Sequence, residues 1–72
     1  MKEVYRVIPT DGNGRLLSNR PGRPANEFDC VYVRASSERS ARFQGSLLLR
    51  GQGYRVRSMD SVRVSVAGQV RW

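Results

Sequence analysis

The chain predicts an α+β fold, a small antiparallel sheet of four to five strands with one helix packed on one face. Three observations carry that expectation. Short stretches of β-branched and aromatic residues alternate with polar ones, turn chemistry separates them, and a single stretch carries helical spacing behind a hydroxyl cap. A chain of 72 residues makes one domain, spanning 1–72, and a domain near this size buries only about 60% of the surface its unfolded chain exposes.

Val4 to Ile8 is rich in strand formers, and Pro9 followed by Asp11-Gly12-Asn13-Gly14 stops it, which places strand one at residues 3–9. Residues 10–26 read as a long basic Gly/Pro-rich loop, with Gly12, Gly14, Gly22, Pro21 and Pro24 among Arg15, Arg20 and Arg23, and with Leu16-Leu17 pinning it or adding a short edge strand. Its stretch Asn19-Arg20-Pro21-Gly22-Arg23-Pro24 is either a solvated connector or an extended arm that lays Arg20 and Arg23 on phosphates. Phe28 to Ala35 reads as the strongest strand and, having strand formers on both faces, as a central one.

Ser36-Ser37-Glu38 supplies a cap and an early acid, and Ala41, Phe43, Leu47 and Leu48 recur at three- and four-residue spacings, which predicts a helix from about Ser37 to Arg50 with that apolar set facing the sheet. Gly51 stands where a left-handed cap is expected, and Arg50 complements the dipole. A competing reading ends the helix at Gln44 and pairs Leu47–Arg50 with Tyr54–Arg57. Tyr54 to Met59 alternates, Asp60-Ser61 turns, Val62 to Val66 alternates again, and Gln69 to Trp72 makes a terminal strand or packed tail.

Twelve of the thirteen basic residues are arginine, and six acids leave a formal charge of +7. Arginine grips phosphate or carboxylate through two parallel hydrogen bonds, so this excess points to nucleic acid or an acidic protein. Codon bias in a GC-rich genome accounts for arginine over lysine but not for the scarcity of acids. In the alternating segments Arg55 and Arg57 oppose Tyr54 and Val56, and Arg63 opposes Val62 and Val64. With Arg71 at the end they would stand on the open face of the sheet, spaced at about 7 Å along each strand. Arg39 and Arg42 form a second basic stripe on the helix. If Arg34 points outward, Tyr32, Cys30 and Phe28 share its face and two rings lie beside arginines where bases can stack. The opposite register, preferred for so small a core, buries both rings.

Catalytic parts are missing. Histidine is absent, Cys30 is the single cysteine and reads as a small buried hydrophobe, and only Glu27 and Asp29 among the acids are close in sequence. The Asp11-Gly12-Asn13-Gly14 stretch lacks the later ligands of a calcium loop. No enzyme activity, cofactor, metal or small-molecule substrate is expected. The N-terminal residues lack a secretion signal, no stretch approaches the roughly 18 apolar residues of a membrane span, and a free thiol suits a reducing cytoplasm, so the expected setting is the cytoplasm of a bacterial host.

The strand start Glu3-Val4-Tyr5-Arg6-Val7-Ile8, the strand-to-helix step Val33-Arg34-Ala35-Ser36-Ser37 and the close Gly68-Gln69-Val70-Arg71-Trp72 give a layout that resembles small basic anti-CRISPR proteins of phages and mobile elements. The resemblance implies a non-enzymatic inhibitor that occupies a multisubunit CRISPR surveillance complex near its nucleic-acid path and interferes with target DNA binding. Inhibitors that mimic DNA are acidic and this chain is the reverse, so phosphate mimicry is disfavoured. A stand-alone nucleic-acid-binding or transcriptional accessory module and a small virion assembly protein are the other readings.

Overall fold

A computed structural model describes residues 2–69. The sheet has three strands, fewer than the four to five expected: β1 (Glu3–Pro9), β2 (Val31–Ala35) and β3 (Val62–Gln69), ordered β2-β1-β3 and antiparallel throughout. Strand one, and not the Phe28–Ala35 stretch, is central. Because β2 and β3 both run against β1, they point the same way, and the chain between them must cross the sheet. The helix α1 (Glu38–Gly51) and a short 3-10 turn (Met59–Ser61) make that crossing, which is why one face is covered and the other is not.

One expected strand is shortened and another does not form, each for an identifiable reason. Residues 28–30 leave the ladder because Asn26 and Asp29 form a tight turn. Asn26 Oδ1 accepts from Phe28 N (2.8 Å), and Asp29 Oδ2 accepts from Asn26 N (2.8 Å). These local bonds outcompete the β propensity of Phe28. Residues 54–57 keep the predicted alternation, with Tyr54 and Val56 buried and Arg55 and Arg57 exposed, yet join no sheet. Arg50 reaches over from α1 and donates to the carbonyls of Val56 and Arg57, both at 2.9 Å, so a side chain satisfies backbone that a neighbouring strand would otherwise satisfy. Arg42 tethers the next stretch through the carbonyls of Val62 (2.8 Å) and Met59 (3.3 Å).

The helix begins as expected, with Ser37 Oγ accepting from Ser40 N (3.1 Å). It ends at Gly51, so the left-handed cap expected there falls further along the chain. Gly53 takes the left-handed conformation (φ 95°), its N–H donates to the Arg50 carbonyl (3.1 Å), and Tyr54 N–H donates to the Leu49 carbonyl (3.0 Å). This double closure is a Schellman motif, completed by burial of Leu49 and Tyr54. The face α1 turns to the sheet is not the expected one. Ala41, Gly45, Ser46 and Leu49 are buried, whereas Phe43, Leu47 and Leu48 are 52%, 50% and 48% exposed. Gly45 decides this: a Cβ there would lie 2.5–2.6 Å from the side-chain atoms of Val7, so the helix sits too close to β1 for a large residue in its centre.

The core joins Tyr5 and Val7 of β1, Val31, Val33 and Ala35 of β2, Val62 of β3, Ala41 and Leu49 of α1, and Tyr54 and Val56, with Leu17 and Val64 packed at its edge. The loop over 10–30 is fixed by two aspartates. Asp11 Oδ1 accepts from Asn13 N (2.8 Å) and Arg15 N (2.9 Å), and Thr10 makes an isolated bridge with Leu16, so the Leu16-Leu17 pair does pin the loop. Buried Asp29 accepts from Tyr54 Oη (2.6 Å) and from Arg23 Nη2 (2.6 Å). Among the described residues, no helix is long and apolar enough to cross a membrane.

Candidate nucleic-acid interface

The uncovered sheet face is built by strand alternation. Tyr5 and Val7 point to the helix, so Val4, Arg6 and Ile8 point away. In the register of β1 with β2, Arg6 lies opposite Tyr32 and Val4 opposite Arg34; on the other side Arg6 lies opposite Ser65 and Ile8 opposite Arg63. Directly opposed residues stand about 5 Å apart, which gathers three arginines and one ring on a small surface.

The register of β2 is thus the one that sends Arg34 outward, and the expected burial of both rings is corrected. Tyr32 is 62% exposed and Phe28 is 82% exposed. Val31, Val33 and Ala35 fill the core face instead. Cys30, expected to be buried, is half-buried. Arg6 joins the two rings: Arg6, Glu27, Phe28 and Tyr32 line one shallow depression, and Arg6 Nη2 donates to the Glu27 carbonyl. A hydrogen bond with Cys30, ahead of an opposing burial penalty, keeps the Arg6 guanidinium still harder to deprotonate than usual. The bond to the Glu27 carbonyl tethers the guanidinium at that depression, and its charge stays in place.

The arginines singled out in the sequence scatter. Arg63 is on the open face, where its Nη2 donates to the Gly14 carbonyl (2.9 Å). Arg55 and Arg57 are exposed on the unpaired 54–57 segment and belong to no sheet face, since the strand that would have carried them does not form. Arg55 and Arg20 line a groove with Ser18, Asn19 and Gly53, so these two are brought together away from the sheet. Arg23 is spent on Asp29 and on Asn19 Oδ1 (3.2 Å), and Arg42 on Glu38 (3.0 Å) and the carbonyls named above; both serve the fold. Arg39 is exposed on the helix. Arg71, with the rest of the expected terminal strand beyond Gln69, lies outside the described residues.

Arg6 is the residue that sequence reading missed. Its signal was available, since it alternates with Tyr5 and Val7 as Arg63 does with Val62 and Val64. A depression between Asn19, Arg20, Arg23 and Phe28 connects the ring pair to the Arg20–Arg55 groove, so one ring borders both basic regions. Among the described residues no group of three or more His, Cys, Asp or Glu side chains is placed to hold a metal ion. Comparison with protein-family models, with curated proteins and with solved structures gives no match to this chain.

Proposed function

We propose that this protein is a non-enzymatic binding module that docks its open sheet face on nucleic acid with accessible bases. One observation carries the reading: Tyr32 and Phe28, the most exposed rings described, line one depression with Arg6 at the edge of a sheet face that also bears Arg34 and Arg63. Exposed rings stack bases of any sequence, while guanidinium groups beside them contact phosphates; together these are the parts of a single-strand platform. Duplex DNA hides its base faces, so it would use the arginines alone.

The same face, docked along the nucleic-acid path of a CRISPR surveillance complex or another nucleoprotein, would make the chain an inhibitor from a phage or mobile element. The layout resemblance supports that version. It needs no catalytic group, cofactor or small-molecule substrate.

Fluorescence anisotropy with a labelled pyrimidine strand of about 16 nucleotides and the matching duplex tests the reading. The single strand should bind more tightly, with affinity falling steeply as salt rises. Tyr32→Ala should weaken single-strand binding by about tenfold and leave duplex binding nearly unchanged, and Arg63→Ala should lower the salt slope by about one unit. Equal affinity of Tyr32→Ala and the parent for the single strand sinks the proposal.

A further inference from the structure

The outer face of α1 is arranged in reverse of an ordinary surface helix. Such a helix turns its large apolar residues to the core and its small and polar ones to water. Here Ala41, Gly45 and Ser46 lie inward with Leu49 the one large apolar residue beside them, while Phe43 and Leu47, one turn apart, form a ridge that is about half exposed along its length. Beside the ridge is a groove lined by Ser37, Arg39, Ser40, Phe43 and Met59. The close packing at Gly45 explains why Phe43 and Leu47 are not inside; it does not explain why they are large, since serine or glutamine would serve at exposed positions.

Charge decides what fits there. Arg39 is exposed and lines the groove, Arg50 is exposed beyond Leu47 but donates to the carbonyls of Val56 and Arg57, and Glu38, the helix's single acid, is bonded to Arg42. A second copy of the chain would bring these arginines against one another on a molecule already carrying +7. Nucleic acid would meet an apolar ridge where it needs phosphate contacts. A lipid surface suits a longer apolar face than two side chains and one groove provide.

We infer that this helix face is a protein-docking surface whose occupant is an acidic amphipathic segment: an apolar side chain enters the groove between Phe43 and Met59, and a flanking carboxylate meets Arg39, which lines that groove. Recognition by an apolar anchor with a charged rim gives specificity and rate beyond what charge alone supplies. The surface lies on the far side of the helix layer from the open sheet face, so it stands independently of the nucleic-acid reading and would let one molecule hold a protein and a strand together.

Two synthetic helical peptides of about 18 residues, five turns long, share one apolar face and differ only in carrying glutamate or lysine on its flanks. Titrated into the 15N-labelled protein, the acidic peptide should shift the amides of α1 and Met59 and leave Tyr32 and Arg34 undisturbed, and the basic peptide should not bind. Phe43→Ser with Leu47→Ser should abolish binding, and Arg39→Glu, an exposed change that leaves the fold alone, should weaken it by about tenfold. The inference is overturned if the acidic peptide fails to bind or both peptides bind equally. It is also overturned if the shifts fall on the sheet face, if vesicles of phosphatidylcholine and phosphatidylserine bind this face in the peptide's stead, or if sedimentation shows a dimer that the double variant dissolves.

Discussion

The sheet and the helix of this protein sort their residues by opposite rules. Across β1 and β2 the apolar side chains Tyr5, Val7, Val31 and Val33 go inward and Arg6, Tyr32 and Arg34 go outward. Along α1 Ala41, Gly45 and Ser46 go inward with Leu49 the one large residue among them, and Phe43, Leu47 and Leu48 go outward. The difference teaches that burial answers to the space available as much as to hydrophobicity. A strand's two faces are fixed by the pleat, whereas a helix can rotate about its axis until its narrowest stripe meets the closest neighbour.

Filling that stripe breaks the comparison most sharply. Gly45→Leu should cost about 4 kcal/mol or more, enough to remove most of the stability of so small a domain. Leucine is a better helix former than glycine by nearly 1 kcal/mol, but the clash wins because the atoms it meets include the Cβ of Val7, which no rotamer change can move. A thermal melt by circular dichroism that matches the parent would show that the helix does not rest on β1 through Gly45.

The second largest effect concerns the polar seam that lets the loop and the 54–57 segment close the core where strands were expected. Asp29→Ala leaves Tyr54 Oη and the Arg23 guanidinium without their shared acceptor, and should cost about 3 kcal/mol in chemical denaturation. Burial alone would raise the Asp29 carboxyl, but hydrogen bonds from Tyr54, the Asn26 N–H and Arg23 outweigh it and hold the group below 3.8, its ordinary value. The folded state therefore binds this proton less readily than the unfolded one. Its contribution is complete above pH 3.8 and is lost as pH falls through the lower folded value. Asp11, held down by the N–H groups of Arg15 and Asn13, acts in the same direction. The melting temperature should fall below pH 4, and less steeply in Asp29→Ala; identical acid profiles would remove Asp29 from that role.

The smallest effect is the most diagnostic of helix rotation. Periodicity made Leu48 a core residue whose replacement by aspartate would unfold the domain. At 48% exposure, Leu48→Asp should cost about 1 kcal/mol, mostly lost helix propensity and an acid at the negative end of the helix, and leave the domain folded. A cooperative melt close to the parent's sharpens the contrast between helix and sheet, and an unfolded variant restores the periodic reading.

Most of the architecture was legible in local signals. The strand at 3–9, the helix near 37–50, the Ser37 cap, the turn at 60–61 and the strand that starts at Val62 each rest on neighbouring residues, and each is present. Less of the candidate interface was. Arg63 follows from alternation, and so does Arg6, which was overlooked. Alternation allows Tyr32 and Phe28 either face, and the demand of a small core for aromatics favours burial, whereas both are exposed. That expectation counted aromatics without knowing the gap they would fill.

The sequence by itself determined the α+β class, the places where the chain turns, the +7 charge and the two-sided pattern of each strand, because backbone propensity, capping and the pleat act over a few residues. Only the tertiary structure decided which side of β2 meets the helix, which stripe of α1 meets β1, and which arginines remain at the surface. Arg50 takes the carbonyls of Val56 and Arg57 in place of a strand, Arg23 takes Asp29, and the Gly45–Val7 approach turns Phe43, Leu47 and Leu48 outward. Each of these outcomes depends on atoms distant in sequence meeting at van der Waals or hydrogen-bond distance, and local pattern carries no measure of that distance.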